Sequence, residues 1–310
     1  MAPWSTYRQA AGIGAAALAT VLVVTACGSG SGGSDSGATA TPGPNTVALV
    51  NGSKITTCTN VPYEPFQFNQ GDKVVGFDVD IVDLVAKKLG VTQDIVDIDF
   101  AAIKSGAALN ARKCDVAAAG MTITDERKKN LLFSDPYFDA TQALMAKKGS
   151  GVTSLDDVKA KNLKLGAQAS TTGLDYVKRK GFEPIEFADS PKELLGLQTG
   201  QADVIVQDLP VVLTWLKKPD VGAKFEQVAS LDTGEQYGIG MKKDNEALKK
   251  VVDEVLATAK SDGTYNAIYK KWFGTEPGAA AGGASDGASD GATTGESPAA
   301  TGTETPAAGS

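Results

Sequence analysis

The chain has 310 residues, 30 of them basic and 37 acidic, a formal charge of −7, and no histidine. That length suffices for one large or two small folded units with a sizeable core. The acidic balance argues against nucleic acid as a partner, and the lack of histidine removes Ser-His and Cys-His nucleophile pairs, imidazole metal sites and a histidine pH switch.

Residues 1–26 read as an export signal. Arg8 is the sole charged side chain before residue 27, and the apolar run after it is densest from Ile13 to Val24. This is shorter than the roughly 20 apolar residues that span a bilayer, and it fits the apolar region of a signal peptide. The run ends in Val24-Thr25-Ala26-Cys27, which resembles a bacterial lipobox, so Cys27 is the expected lipidation site. The alternative is an ordinary cleaved signal. Residues 27–46 hold, after Cys27, only Gly, Ser, Ala, Thr and Pro besides Asn45 and one acid, Asp35, the composition of a flexible tether. Gly28, Gly30 and Gly33 spell G-x-G-x-x-G, but no strand precedes them and no helix follows, so the match is compositional.

From about residue 47 to 277 short apolar runs alternate with amphipathic segments, the pattern of an α/β fold. Residues 46–50 and 54–58 read as strands around the turn Asn51-Gly52. A helix is expected over Val79–Leu89, with Ile81, Leu84, Val85 and Leu89 on one face and Gly90 as its stop. Asp115 to Ala119, Leu163 to Ala167 and Ala202 to Val206 read as buried strands. Asp244 is placed to cap a helix carrying Leu248, Val251, Val252, Val255 and Leu256, ended by Gly263. Thr264 then caps another with Tyr265, Ile268, Tyr269, Trp272 and Phe273 at helical spacing, an aromatic stripe that belongs to a core. Residues 277–310 hold no apolar residue larger than Ala and repeat Ala-Ser-Asp-Gly at 284–287 and 288–291, so they are expected to be disordered. Four acids lie in this tail and one in the tether, while one base lies in the signal segment. The core is therefore only −3, and its charge says little about a ligand.

Six strings within the core carry a family resemblance: Val61-Pro62-Tyr63-Glu64-Pro65-Phe66; Val75-Gly76-Phe77-Asp78-Val79-Asp80; Gly120-Met121-Thr122-Ile123-Thr124-Asp125-Glu126-Arg127; Phe133-Ser134-Asp135-Pro136-Tyr137; Val206-Gln207-Asp208; and Asp262-Gly263-Thr264-Tyr265 running on to Trp272-Phe273-Gly274. In these strings the chain resembles the solute-binding proteins of bacterial polar amino-acid ABC importers, family 3, over about Lys54 to Gly274. The resemblance implies the type II periplasmic binding protein fold, two α/β lobes joined by a two-segment hinge that closes on a ligand. Carried over, lobe 1 is 47–140 plus 236–276 and lobe 2 is 141–235, with crossings near Ala140 and Thr233.

An α-amino acid presents a carboxylate and an ammonium on one carbon, so its binder needs a cation and an anion close together. Arg127 matches the family arginine that clamps the carboxylate with its planar fork; the structural alternative is a solvated charge in the run Glu126 to Lys129. Thr122 and the backbone of Gly120 match positions that add hydrogen bonds to the ligand. Thr171 matches the second lobe's carboxylate contact at a helix start, where capping and binding can coexist. Asp208 matches the ammonium ligand; its alternative is capping of a helix beginning near Pro210. Tyr63 matches the aromatic against the ligand side chain, with Phe100 opposing it. Many relatives have Asp where this chain has Asn60, and the neutral amide leans the side-chain preference toward a neutral or acidic amino acid such as glutamine or glutamate, unless Glu64 or another acid substitutes.

Cys58 and Cys114 are the two cysteines left in the exported domain, and in this fold their strands are neighbours. A disulfide is expected, with free buried thiols the alternative. No metal and no cofactor is expected. The chain has no Gly-Lys dipeptide, hence no Walker A loop, so ATP hydrolysis falls to a separate subunit of the importer. The expected role is a monomeric, lipid-anchored extracytoplasmic protein that hands a free amino acid to a permease. Two other readings stand beside it: a dehydratase of cyclic amino acids on the same scaffold, which needs a general acid beside a leaving hydroxyl, and a sensor lipoprotein without transport partners.

Overall fold

The computed structural model describes residues 47–278; the signal segment, Cys27, the tether to residue 46 and the tail from 279 lie outside the described residues. Two five-stranded sheets organise the core. The first runs in the order Thr92–Asp97, Lys54–Thr59, Val116–Ala117, Gly240–Lys242, Leu131–Phe133, and only Gly240–Lys242 is antiparallel to its neighbours. The second runs Phe225–Tyr237, Phe138–Lys147, Val204–Asp208, Leu165–Gln168, Ile185–Phe187, its last three strands parallel. Parallel strands need both faces covered. Accordingly Lys54–Thr59 is buried at every position after its lysine, and Val204–Asp208 throughout.

The chain passes between the sheets twice, after Phe133 and after Tyr237. The long strands by which it enters and leaves the second sheet, Phe138–Lys147 and Phe225–Tyr237, pair with each other as one antiparallel ladder. That ladder loses register between Leu231 and Glu235, opposite Gln142 and Ala140.

The helix over Phe77–Leu89 starts two residues earlier than its apolar periodicity suggests and stops at Gly90, in the left-handed conformation, as expected of a C-terminal glycine. Gly76 just before it is required: its φ is 144°, and a Cβ there would sit 2.0 Å from the Phe66 carbonyl oxygen. The aromatic stripe of the last helix, Thr264–Phe273, packs as core. Phe273 lies 5.1 Å from Phe77 and 5.6 Å from Phe66 between ring centroids, and the Trp272 indole N–H donates to Asp80 (2.7 Å). Each such pair adds about 0.5–1.5 kcal/mol beyond the area it buries.

Cys58 and Cys114 form a disulfide with Cα atoms 5.6 Å apart, closing a sequence separation of 56 residues. Closing a loop of that length restricts the unfolded chain by about 4 kcal/mol on a chain-entropy basis.

Three local expectations are corrected. Residues 47–50 form no strand: the segment is tied instead by the Val50 amide to Asp115 (2.6 Å), and the Asn51-Gly52 turn feeds one strand only. The cap of the Glu246–Ser261 helix is Asn245, whose side chain accepts from the Leu248 amide (3.2 Å), while Asp244 pairs with Lys242. The final helix begins at Thr264 with Gly263, not Thr264, in the capping position.

Candidate functional site

The parallel strands of both sheets end at the same cleft, where ligands of open α/β sheets bind. From the first sheet, Lys54–Thr59 delivers Asn60 and Tyr63, and Val116–Ala117 delivers Gly120 and Thr122. From the second, Leu165–Gln168 delivers Gln168, Thr171 and Thr172, and Val204–Asp208 ends on Asp208. All of these residues, with Gln67, Phe100, Ala119 and Arg127, line one narrow cavity. Every ligand-contact residue expected from the sequence thus reaches one site. Glu64 does not line it and pairs with Lys218 (3.1 Å).

Arg127 sits in the short helix Asp125–Lys128, whose N-cap Thr124 accepts from the Arg127 amide (3.1 Å). Arg127 is 6% exposed, so it is not a solvated member of the neighbouring charge run. It donates to the Thr122 carbonyl (2.8 Å) and, more weakly, to the Ser170 carbonyl (3.4 Å), and lies 5.4 Å over the Phe100 ring. Among the described residues no carboxylate stands at salt-bridge distance from it. Burial pulls its pKa below the ordinary guanidinium value, against the opposing pull of Glu235, Asp175 and Asp208. A buried cation with no carboxylate at salt-bridge distance is costly, and a ligand carboxylate would reduce that cost.

Asp208 is its counterpart. It precedes the helix Leu209–Leu216 but makes no side-chain capping bond, which removes the structural alternative for it. Instead its carboxylate accepts from the Tyr63 hydroxyl, the Tyr237 hydroxyl and the Gln142 amide. Burial raises its pKa, opposed by those three hydrogen bonds and by Arg127. The three donors are neutral, so they orient the carboxylate without cancelling its charge.

Thr171 does both things expected of it locally. Its hydroxyl accepts from the Leu174 amide (3.2 Å) as an N-cap and donates to the Gln168 carbonyl (2.8 Å), while the residue lines the cavity. With that hydroxyl committed, and that of Thr172 donating to Glu235, the start of the Thr172–Arg179 helix offers an anion its backbone amides. Gly120 is held by the Asp78 carboxylate, which accepts its amide (2.8 Å) and the Tyr137 hydroxyl (2.7 Å). A Cβ on Gly120, at φ 55°, would lie 2.9 Å from the Tyr63 ring, so glycine lets that ring close over the loop.

Several participants carried no sequence signal. Gln142, Glu235 and Tyr237 come from the two crossing strands. The Glu235 carboxylate accepts from Thr172 (3.0 Å), Gln142 (3.1 Å) and, at 3.4 Å, Thr122, and so touches residues from both sheets. Glu193, fully buried in the Ser190–Thr199 helix, accepts from Gln207 (2.7 Å), whose own carbonyl oxygen lies 2.8 Å from the Tyr63 hydroxyl and shares its hydrogen with Asp208. Burial pushes Glu193 well above the ordinary carboxylate range. Only an alternating or helical apolar pattern is legible locally, and these polar residues meet through chain separations of 14 to 145 residues.

The sequence model of the family described as bacterial extracellular solute-binding proteins, family 3, matches residues 55–275. A probable histidine-binding protein of Neisseria gonorrhoeae is 33% identical over 240 residues, covering 74% of this chain and 87% of that protein. A glutamine-binding ABC transporter protein of Bacillus subtilis (strain 168) is also 33% identical, over 210 residues, covering 66% of this chain and 75% of the relative. Among solved structures, an ancestral arginine-binding protein bound to glutamine superposes with a TM-score of 0.67 at 39% identity, covering 72% of this chain and 99% of that one.

Proposed function

Since the chain belongs to the bacterial extracellular solute-binding proteins of family 3, whose relatives serve amino-acid ABC transporters, we propose that it captures one free polar amino acid and delivers it to a permease. The ligand carboxylate docks on Arg127, Thr122 and the start of the Thr172–Arg179 helix, and its ammonium docks on Asp208. Asn60, neutral at the side-chain end, leans the preference toward a neutral or acidic side chain, glutamine or glutamate. ATP hydrolysis belongs to a separate subunit, and the chain works as a monomeric binding protein rather than an enzyme, held at the outer face of the membrane by lipid on Cys27.

The observation that supports this most is the pair of buried, oppositely charged groups that share a cavity and do not neutralise each other. Arg127 belongs to the first sheet's loops and Asp208 to a strand of the second. A zwitterion bridging them favours closure only when both of its charges are present, which selects free α-amino acids over peptides and simple carboxylic acids. A thermal-shift screen of the twenty amino acids tests it, because a ligand that binds the folded state stabilises it by mass action. At least one polar amino acid should raise the melting temperature; no shift with any of them contradicts the reading. Incubation with prephenate or arogenate, followed by product analysis, tests the dehydratase alternative.

A further inference from the structure

Three carboxamides line the cavity in addition to the groups that meet the ligand's backbone charges: Asn60, Gln67 and Gln168. Two of their oxygens are anomalous. Gln67 Oε1 and Gln168 Oε1 are buried and have no hydrogen-bond partner, in residues that are 0% and 4% exposed. Buried polar atoms are nearly always satisfied, so each orphan invites an explanation.

The orientation of two of these amides is set by their surroundings. Gln67 Nε2 donates to the Asn60 carbonyl (3.1 Å), and Asn60 Nδ2 donates to the Ile98 carbonyl (3.0 Å). In both, the nitrogen is committed to a backbone acceptor and the oxygen is the end left over. Asn60 and Gln67 flank the loop after the first sheet's Lys54–Thr59 strand, whereas Gln168 closes the Leu165–Gln168 strand of the second. Gln67 therefore brings an acceptor lacking a donor from one side of the cleft, and the Gln168 amide, bonded at neither end, is free to turn its oxygen to the same ligand group from the other.

Resting on the amino-acid reading above, we infer that the ligand's side chain ends in N–H donors, a carboxamide or a guanidinium or ammonium group, and that Gln67 and Gln168 are specificity-determining residues. Such a terminus supplies the donors that the two oxygens lack. A side-chain carboxylate would set acceptor against acceptor, and a hydrocarbon would leave both oxygens buried and unpaired. Of the two candidates suggested by Asn60, this favours glutamine and rejects glutamate. Sites built to hydrogen-bond a ligand group discriminate strongly against analogues lacking it.

Calorimetry on the intact chain with glutamine, arginine, lysine, glutamate and methionine tests the inference; methionine is close to glutamine in length but lacks the donors. The best N–H-bearing ligand should bind at least about 100-fold tighter than glutamate and methionine, and the order among glutamine, arginine and lysine tells carboxamide from cation. Gln67→Met and Gln168→Met should each cut the preference for that ligand over methionine by about tenfold or more, whereas a merely structural role would weaken both ligands alike. If Gln67→Met fails to fold, Gln168→Met decides. Glutamate or methionine binding within threefold of the best N–H ligand, or folded variants with unchanged preference, overturns the inference while leaving amino-acid capture standing. Failure of all twenty amino acids to bind overturns both.

Discussion

Asp208 accepts hydrogen bonds from three side chains, whereas Arg127, about equally buried, donates to two backbone carbonyls and meets no carboxylate at salt-bridge distance among the described residues. The difference lies in remaining capacity. A carboxylate offers about four acceptor positions and a guanidinium five donors. Asp208 therefore keeps about one position for an ammonium, and Arg127 about three N–H groups for a carboxylate. Both charges are oriented by neutral dipoles, and neither is cancelled before a ligand arrives. The protein spends its rigidity on the anion and leaves the cation open, which suits a small ammonium at one end and a two-pronged carboxylate at the other.

The largest expected effect falls on the open end. Arg127→Lys keeps the charge and loses the fork, and should weaken binding by about 3–4 kcal/mol, roughly 150- to 1000-fold, as measured by calorimetry. A loss below about threefold would show that the guanidinium geometry is not used.

Asp78 sharpens the comparison as a third buried charge, held by the Tyr137 hydroxyl and the Gly120 amide. Burial raises its pKa to about 6, against the lowering effect of those two hydrogen bonds. Because the folded pKa lies above the unfolded value, the group contributes stability that is complete below about pH 4 and lost as pH rises through about 6. The swing should be about 3 kcal/mol in denaturant unfolding between those limits, and Asp78→Asn should flatten this component. An unchanged pH profile in that variant would assign the titration elsewhere.

Asp208→Asn keeps the shape and removes the charge proposed to meet the ligand ammonium, and a loss of about 2–3 kcal/mol in affinity is expected. Its fold should survive, as circular dichroism would report. The smallest effect belongs to Tyr237→Phe, which deletes one of three donors to Asp208. About 1 kcal/mol of affinity should be lost by calorimetry. A loss as large as that of Asp208→Asn would mean that Tyr237 positions the carboxylate alone.

Much of the scaffold was legible because burial imposes a period. The apolar spacing of the Phe77–Leu89 helix and the glycine after it locate that element within two residues, and Thr264–Phe273 announces itself by its aromatic stripe. Capping was less legible. Asp244 and Asn245 are both good N-cap residues, and only the backbone path after Lys242 selects Asn245. At the site, Arg127 and Asp208 stand out through family motifs, not through composition. Tyr237, Gln142, Glu193, Gln67 and Gln168 are ordinary polar residues in sequence, and their roles exist only where distant strands bring them together.

The central claim is that Arg127 and Asp208 read the two backbone charges of one amino acid. It is tested most directly by calorimetry on the intact chain with the best ligand of the screen, its N-acetyl derivative and its α-carboxamide. Removing either backbone charge should weaken binding by at least about 100-fold, near 2.7 kcal/mol, and in Asp208→Asn the penalty for N-acetylation should shrink to a small fraction of that. Derivatives that bind within threefold of the parent amino acid would contradict the account.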